Sequence, residues 1–229
     1  MLFDLALTAG GLLPFYLSLI AIMTREFEAK FLKLMLLFFV TGLTTIPFFA
    51  LQYAGVDKEF ISSLYGPVIA ISVLAFTEEL IKSVALFFDK ELQKHYYYPI
   101  LVGLSFAFFE NVSYFLGFDF TLAFIMIALV RLFMVSTAHA VFTTLVAHFI
   151  NKGTHRTKSL YYILGILIAG SFHSLFNLLN HWEMSYLVVP LLLVLIVYLH
   201  FDEPLEKASN ATSAASALKL HPQAVRAGH

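Results

Sequence analysis

Residues 67–88, PVIAISVLAFTEELIKSVALFF, form an apolar run long enough to cross a bilayer, yet they carry Glu78, Glu79 and Lys82 well inside it. A charged side chain at that depth costs about 2.5–3.5 kcal/mol on insertion scales, and three cost more unless they pair. Glu78 and Lys82 are i,i+4 neighbours and Glu79 and Lys82 are i,i+3, so one helix allows partial pairing. Two carboxylates sharing one ammonium still leave a negative charge for other helices to answer. The chain offers Glu110, His139 and His173, each in a different apolar segment.

Hydrophobic residues make up 60% of the chain and charged residues 13%, against about 45–50% and 25% in an ordinary soluble domain. That composition predicts a polytopic membrane protein. The net charge of −1 says little about partners, and no basic block suggests a nucleic-acid partner. The absence of cysteine removes disulfides, thiolate zinc sites and a cysteine nucleophile. Asp4, Asp57, Asp89, Asp119 and Asp202 all fall at segment ends or in loops. Acid chemistry within the bilayer is left to glutamate.

Spans of about 20 apolar residues predict an all-α fold, a bundle of seven transmembrane helices near 5–23, 31–52, 67–88, 99–118, 120–150, 160–180 and 185–200. Pro67 and Pro99 suit first-turn positions, where a missing N–H is harmless. The loops after the first, third and fifth helices hold Arg25, Lys30, Lys33, Lys90, Lys94, Lys152, Arg156 and Lys158, and those after the second, fourth and sixth hold only Lys58. The positive-inside rule then places the N-terminus outside and the C-terminus in the cytoplasm. Leu2-Phe3-Asp4 lacks a basic n-region, so the first helix reads as a retained span. Residues 1–202 read as one membrane domain, and 203–229, rich in Ala and Ser, as a disordered cytoplasmic tail.

At about 1.5 Å per residue, Glu79, Glu110, His139 and His173 stand about 14, 17, 17 and 20 Å above the cytoplasmic ends of their helices. Each of Glu79, Glu110 and His173 also sits on a stripe of small or polar residues: Ser72, Ala75 and Ser83; Gly103, Ala107 and Tyr114; Gly165, Ala169 and Asn177. Small residues at i,i+4 mark helix faces buried in protein. Ionisable groups converging at one depth are expensive unless they serve a function. A lone intramembrane Asn such as Asn111 or Asn177, by contrast, is more often interhelical glue than chemistry. Arg131, high on the fifth helix, either pairs or snorkels outward. His148 and His200 read as residues of the inner interface.

A zinc protease needs His-Glu-x-x-His, and no histidine is followed by glutamate. An aspartyl type needs intramembrane aspartates. Gly103-Leu104-Ser105-Phe106 faintly resembles the rhomboid Gly-x-Ser pattern, with His139 or His173 as base, but leaves two glutamates unused. A proton-coupled transporter relaying protons through buried Glu and His is the non-enzyme rival, although no internal repeat supports it.

Glu78-Glu79-Leu80-Ile81-Lys82 resembles the Glu-Glu-x-x-Lys motif of the PrsW family of membrane proteases, and Phe106-Ala107-Phe108-Phe109-Glu110, continued by Asn111, resembles its Phe-x-x-x-Glu motif. His139-Ala140-Val141-Phe142-Thr143 and His173-Ser174-Leu175-Phe176-Asn177 resemble its two histidine-bearing helices. The arrangement is also similar to the wider superfamily of CAAX prenyl endopeptidases and bacteriocin self-immunity proteins. Lys82 stands one residue before that superfamily's Arg, and Glu110 replaces its His.

The resemblance implies site-1-type cleavage of a membrane-anchored protein such as an anti-sigma factor, in a bacterial cytoplasmic membrane. The residues themselves support activation of water by a carboxylate and an imidazole in a largely dry bundle. In this reading Glu79 is the general base, and His173 with Asn177 donates to the oxyanion. Glu110 and His139 position the water or the His173 ring. Glu78 is the ion-pair partner of Lys82, while Phe106, Asn111 and Arg131 support the site. No cofactor is favoured. Zinc held by Glu79, Glu110, His139 and His173 stays open as the alternative.

Overall fold

The computed structural model describes residues 2–26, 30–46, 66–89, 97–115 and 122–200, together with 92 and 95. Helices follow one another as α1 (Leu2–Glu26), α2 (Phe31–Leu43), α3 (Pro67–Phe88), α4 (Tyr97–Phe115), α5 (Leu122–Lys152) and α6 (Lys158–His181). A 3-10 turn, Ser185–Leu187, then runs into α7 (188–200). No strand occurs among the described residues, so the fold is all-helical. The far end of the expected second helix, the loop with Asp57 and Lys58, and residues 203–229 lie outside the described residues. Met1–Leu192 forms one compact unit, and of the second, Leu193–His229, the described residues 193–200 are helical.

Local chemistry sets several of these boundaries. Gly66 takes φ 87°, a left-handed conformation that suits glycine, and Pro67 then opens α3 with φ already preset. Past the end of α6, Glu183 (φ 59°) occupies the left-handed position that glycine usually fills. The Met184 N–H then donates to the Leu179 carbonyl at 2.7 Å, turning the chain towards the 3-10 segment.

By length and composition, α5 over Phe124–Lys152 and α6 over Lys158–His181 are apolar enough to cross a membrane. The 22 residues of α3 would suffice in length, but they contain the three charges. Val130 and Phe133 on α5, Leu167 on α6 and Leu36 and Val40 on α2 are all more than half exposed. An apolar surface of this extent is the kind a bilayer solvates.

Within the first unit, α4 packs against α5, α2 and α1, while α5 packs against α6 and α6 against α3. Contact is closest where side chains are smallest. A Cβ on Gly103 would collide with the His139 carbonyl oxygen and the Ala140 backbone, so glycine lets α4 meet α5 at the level of His139. These contacts bring the polar faces of α3, α4, α5 and α6 together inside the bundle.

Candidate active site

Lys82 organises the buried centre. Its Nζ lies 2.5 Å from Glu79 Oε1 and 2.9 Å from His139 Nδ1, and sits 5.1 Å from the centre of the Phe106 ring. Glu79 Oε1 also meets His173 Nδ1 at 2.7 Å. One carboxylate therefore joins α3 to α6 while its lysine joins α3 to α5. The ring of Phe142 stacks on His173 at 5.1 Å and 26°, which holds the imidazole plane.

A second branch answers Glu110. Its Oε2 lies 2.6 Å from His139 Nε2 and its Oε1 2.8 Å from an Arg131 guanidinium nitrogen. Arg131 Nε donates to Asn111 Oδ1 at 2.9 Å, and its guanidinium lies over Tyr114 at 3.9 Å. Arg131 thus pairs and does not snorkel. Asn111 in turn donates to Tyr16 Oη at 3.1 Å, and Tyr16 shares a 2.7 Å hydrogen bond with Ser136. The ammonium of Lys82 can only donate. His139 Nδ1 is therefore the acceptor, and Nε2–H donates to Glu110.

Glu78 departs from expectation. The pattern of α3 predicts that Glu78 pairs with Lys82 and that Glu79 faces the reaction; the structure pairs Glu79 with Lys82 and leaves Glu78 on the cavity. The stripe Ala75, Glu79, Ser83 is fully buried. Small residues let helices close on each other there, so no space for a substrate remains. About 100° round the helix, packing is looser and Glu78 looks into an opening. Its Oε2 is buried without a hydrogen-bond partner among the described residues, as is Glu79 Oε2. Glu78 Oε2 lies 3.6 Å from His173 Nε2.

The opening is a cavity of about 690 Å³. Glu78, Glu110, Arg131, His139, His173 and Asn177 line its polar part. Met126, Ile127, Val130, Met134, Val135, Phe176 and Val188 supply an apolar wall. This combination of a few convergent polar groups and an apolar wall is typical of a ligand site. A smaller cavity of about 320 Å³ touches Glu78 from the α3–α6 side.

The other candidate residues fall into place around these contacts. Ser105 is fully buried and donates to the Phe38 carbonyl, tying α4 to α2. His148, expected at the interface, is buried. In the sequence Phe142 is named only within a motif, and Tyr16, Ser136 and the methionine-bearing wall of α5 are not singled out. A tyrosine in the middle of α1, away from either interface, was the available signal for Tyr16. Nothing local marks the wall, whose residues look like any lipid-facing helix.

The expected zinc set also changes. Glu78, His139 and His173 can each bring one donor atom to within 4.8 Å of the others, with Glu78 in place of Glu79 and Glu110. Their types and spacing suit a divalent cation. As bonded here they fall short of a three-ligand centre, because both His139 nitrogens are committed, Nδ1 to Lys82 and Nε2–H to Glu110.

No curated protein and no solved structure matches the chain. A family model described as PrsW family intramembrane metalloprotease matches residues 30–201, well over half of the 229 residues and all of α3 to α6. The matched stretch contains the whole buried Glu–Lys–His cluster and the cavity beside it. This chain therefore belongs to the PrsW family, a multi-pass membrane protein of an intramembrane protease family.

Proposed function

We propose that the protein hydrolyses a peptide bond of a membrane-anchored polypeptide with a water activated by Glu78, without a bound metal. The observation that carries this reading is the Glu78–His173 pair. Both residues border the cavity, their facing atoms lie 3.6 Å apart, and Glu79 holds the far side of the His173 ring. Glu78 takes the water proton as oxygen attacks the carbonyl carbon, then returns it to the departing amine. His173 and Asn177, the latter also on the cavity, donate to the developing oxyanion.

Charge balance supports the same assignment. Three carboxylates, Glu78, Glu79 and Glu110, face two fixed cations, Lys82 and Arg131, which leaves room for one further proton at Glu78 or His173. Glu110 and Arg131 orient His139, and His139 and Glu79 hold Lys82. The unbroken helices α3 to α6 favour hydrolysis over the discontinuous helices of an alternating-access transporter. Seven spans, N-out and C-in, in a bacterial cytoplasmic membrane, and an anti-sigma-type substrate complete the proposal.

The test is to incubate purified protein with a library of single-span polypeptides, comparing wild type with Glu78→Gln. Cleavage by the wild type alone is the expected result. Equal cleavage by both would remove Glu78 from the reaction.

A further inference from the structure

Glu78, Asn177 and Asn180 are common to both cavities. The larger is walled by apolar residues of α5, with room for a polypeptide segment. The smaller lies between Ile71 and Leu74 on α3 and Asn177, Asn180 and His181 on α6. Asn177 and His181 are i,i+4 neighbours, so they form a polar row that runs from beside His173 to the end of α6. Asn180 and His181 are exposed there. Asn180 is itself fixed, donating to the Phe176 carbonyl at 3.0 Å and accepting from Ser185 Oγ at 2.9 Å. It lines both spaces.

Hydrolysis consumes one water for every bond cut. A polypeptide lying in the larger cavity covers Glu78 from that side. Water must then come from elsewhere, and an apolar bilayer does not supply it. We infer that the smaller cavity is a water-binding site and feed channel for Glu78, separate from the space that takes the polypeptide. Its volume of about 320 Å³ exceeds the ~30 Å³ share of one liquid water several times over. Its asparagines offer both donors and acceptors to ordered water. Glu78 lines this cavity, so its carboxylate is where such a row of water would end.

This inference rests on Glu78 being the base, and one experiment separates the two claims. The chain has no cysteine, so a single introduced thiol reports alone. Leu74→Cys places it on the wall of the smaller cavity. Val73→Cys places it on a face that is 45% exposed and belongs to neither cavity lining. The probe is trimethylammonium-ethyl methanethiosulfonate, which reacts from water and not from lipid or detergent chains. Leu74→Cys should react at least tenfold faster than Val73→Cys in the purified full-length protein. Its adduct should lower kcat on a cleaved single-span polypeptide at least tenfold, with KM unchanged and recovery on reduction. Ile71→Cys serves as a second wall position if Leu74→Cys does not fold. Equal reactivity of the two thiols, an adduct with full turnover, or a rise in KM alone would overturn the inference. Turnover by Glu78→Gln with the labelling pattern intact would instead remove the base and leave the wet cavity standing.

Discussion

Oε2 of Glu78 lies 3.6 Å from Nε2 of His173, on the wall of the cavity, while Nδ1 of the same ring is held by Glu79 at 2.7 Å. One imidazole therefore sits between two adjacent glutamates of a single helix, and the two have different surroundings. Glu79 is enclosed with Lys82. Glu78 borders the cavity.

Glu78→Gln should accordingly lower kcat by about 10²–10⁴-fold, the range for losing a general base, with little change in thermal midpoint. Glu79→Gln should chiefly destabilise, by about 3–5 kcal/mol, because it leaves the Lys82 charge buried without its partner. Turnover and thermal unfolding of both variants in detergent check this. An active, stable Glu78→Gln beside a dead, stable Glu79→Gln would return the base to Glu79.

Arg131 acts at one remove, through Glu110 and His139. Arg131→Lys should keep part of the activity and Arg131→Leu much less, since an ammonium cannot span Glu110 and Asn111 as the guanidinium fork does. The fall should appear in kcat, by roughly one to two orders of magnitude if positioning is lost. Equal loss in both variants, tracking loss of folded protein, would indicate a structural role alone.

Ser105→Ala should leave turnover intact and cost about 0.5–1.5 kcal/mol of stability, the worth of one buried hydrogen bond. Complete loss of activity in a stable Ser105→Ala protein, with activity kept in Glu110→Gln, would hand the reaction to a serine nucleophile.

Protein stripped with a chelator should retain full turnover with less than stoichiometric zinc. His139 has no nitrogen to offer while Lys82 and Glu110 hold it. Activity that vanishes on stripping and returns with zinc would show that His139 exchanges its partners for the metal.

A reporter fused after His229 should be active only in the cytoplasm, as the positive-inside rule predicts from Arg25 and Lys152 in the last turns of α1 and α5 and Arg156 just beyond. Activity outside would reverse the orientation of the bundle.

The sequence alone determined the helical class, the membrane setting and the set of ionisable residues. Each follows from local physics: apolar runs of spanning length and the cost of placing charge within them. The short motifs around Glu78, Glu110, His139 and His173 also carried the family. Only the tertiary structure decided which glutamate meets the cavity. Helical spacing permits Lys82 to reach either Glu78 or Glu79, and the choice is made by neighbours: His173 and His139 approach the Glu79 face and close it. The wall of α5 was equally hidden, because Met126, Val130 and Met134 differ from lipid-facing residues only in what lies opposite them. Identity along the chain sets what a side chain can do, whereas the packing of other helices sets which side chain has room to do it.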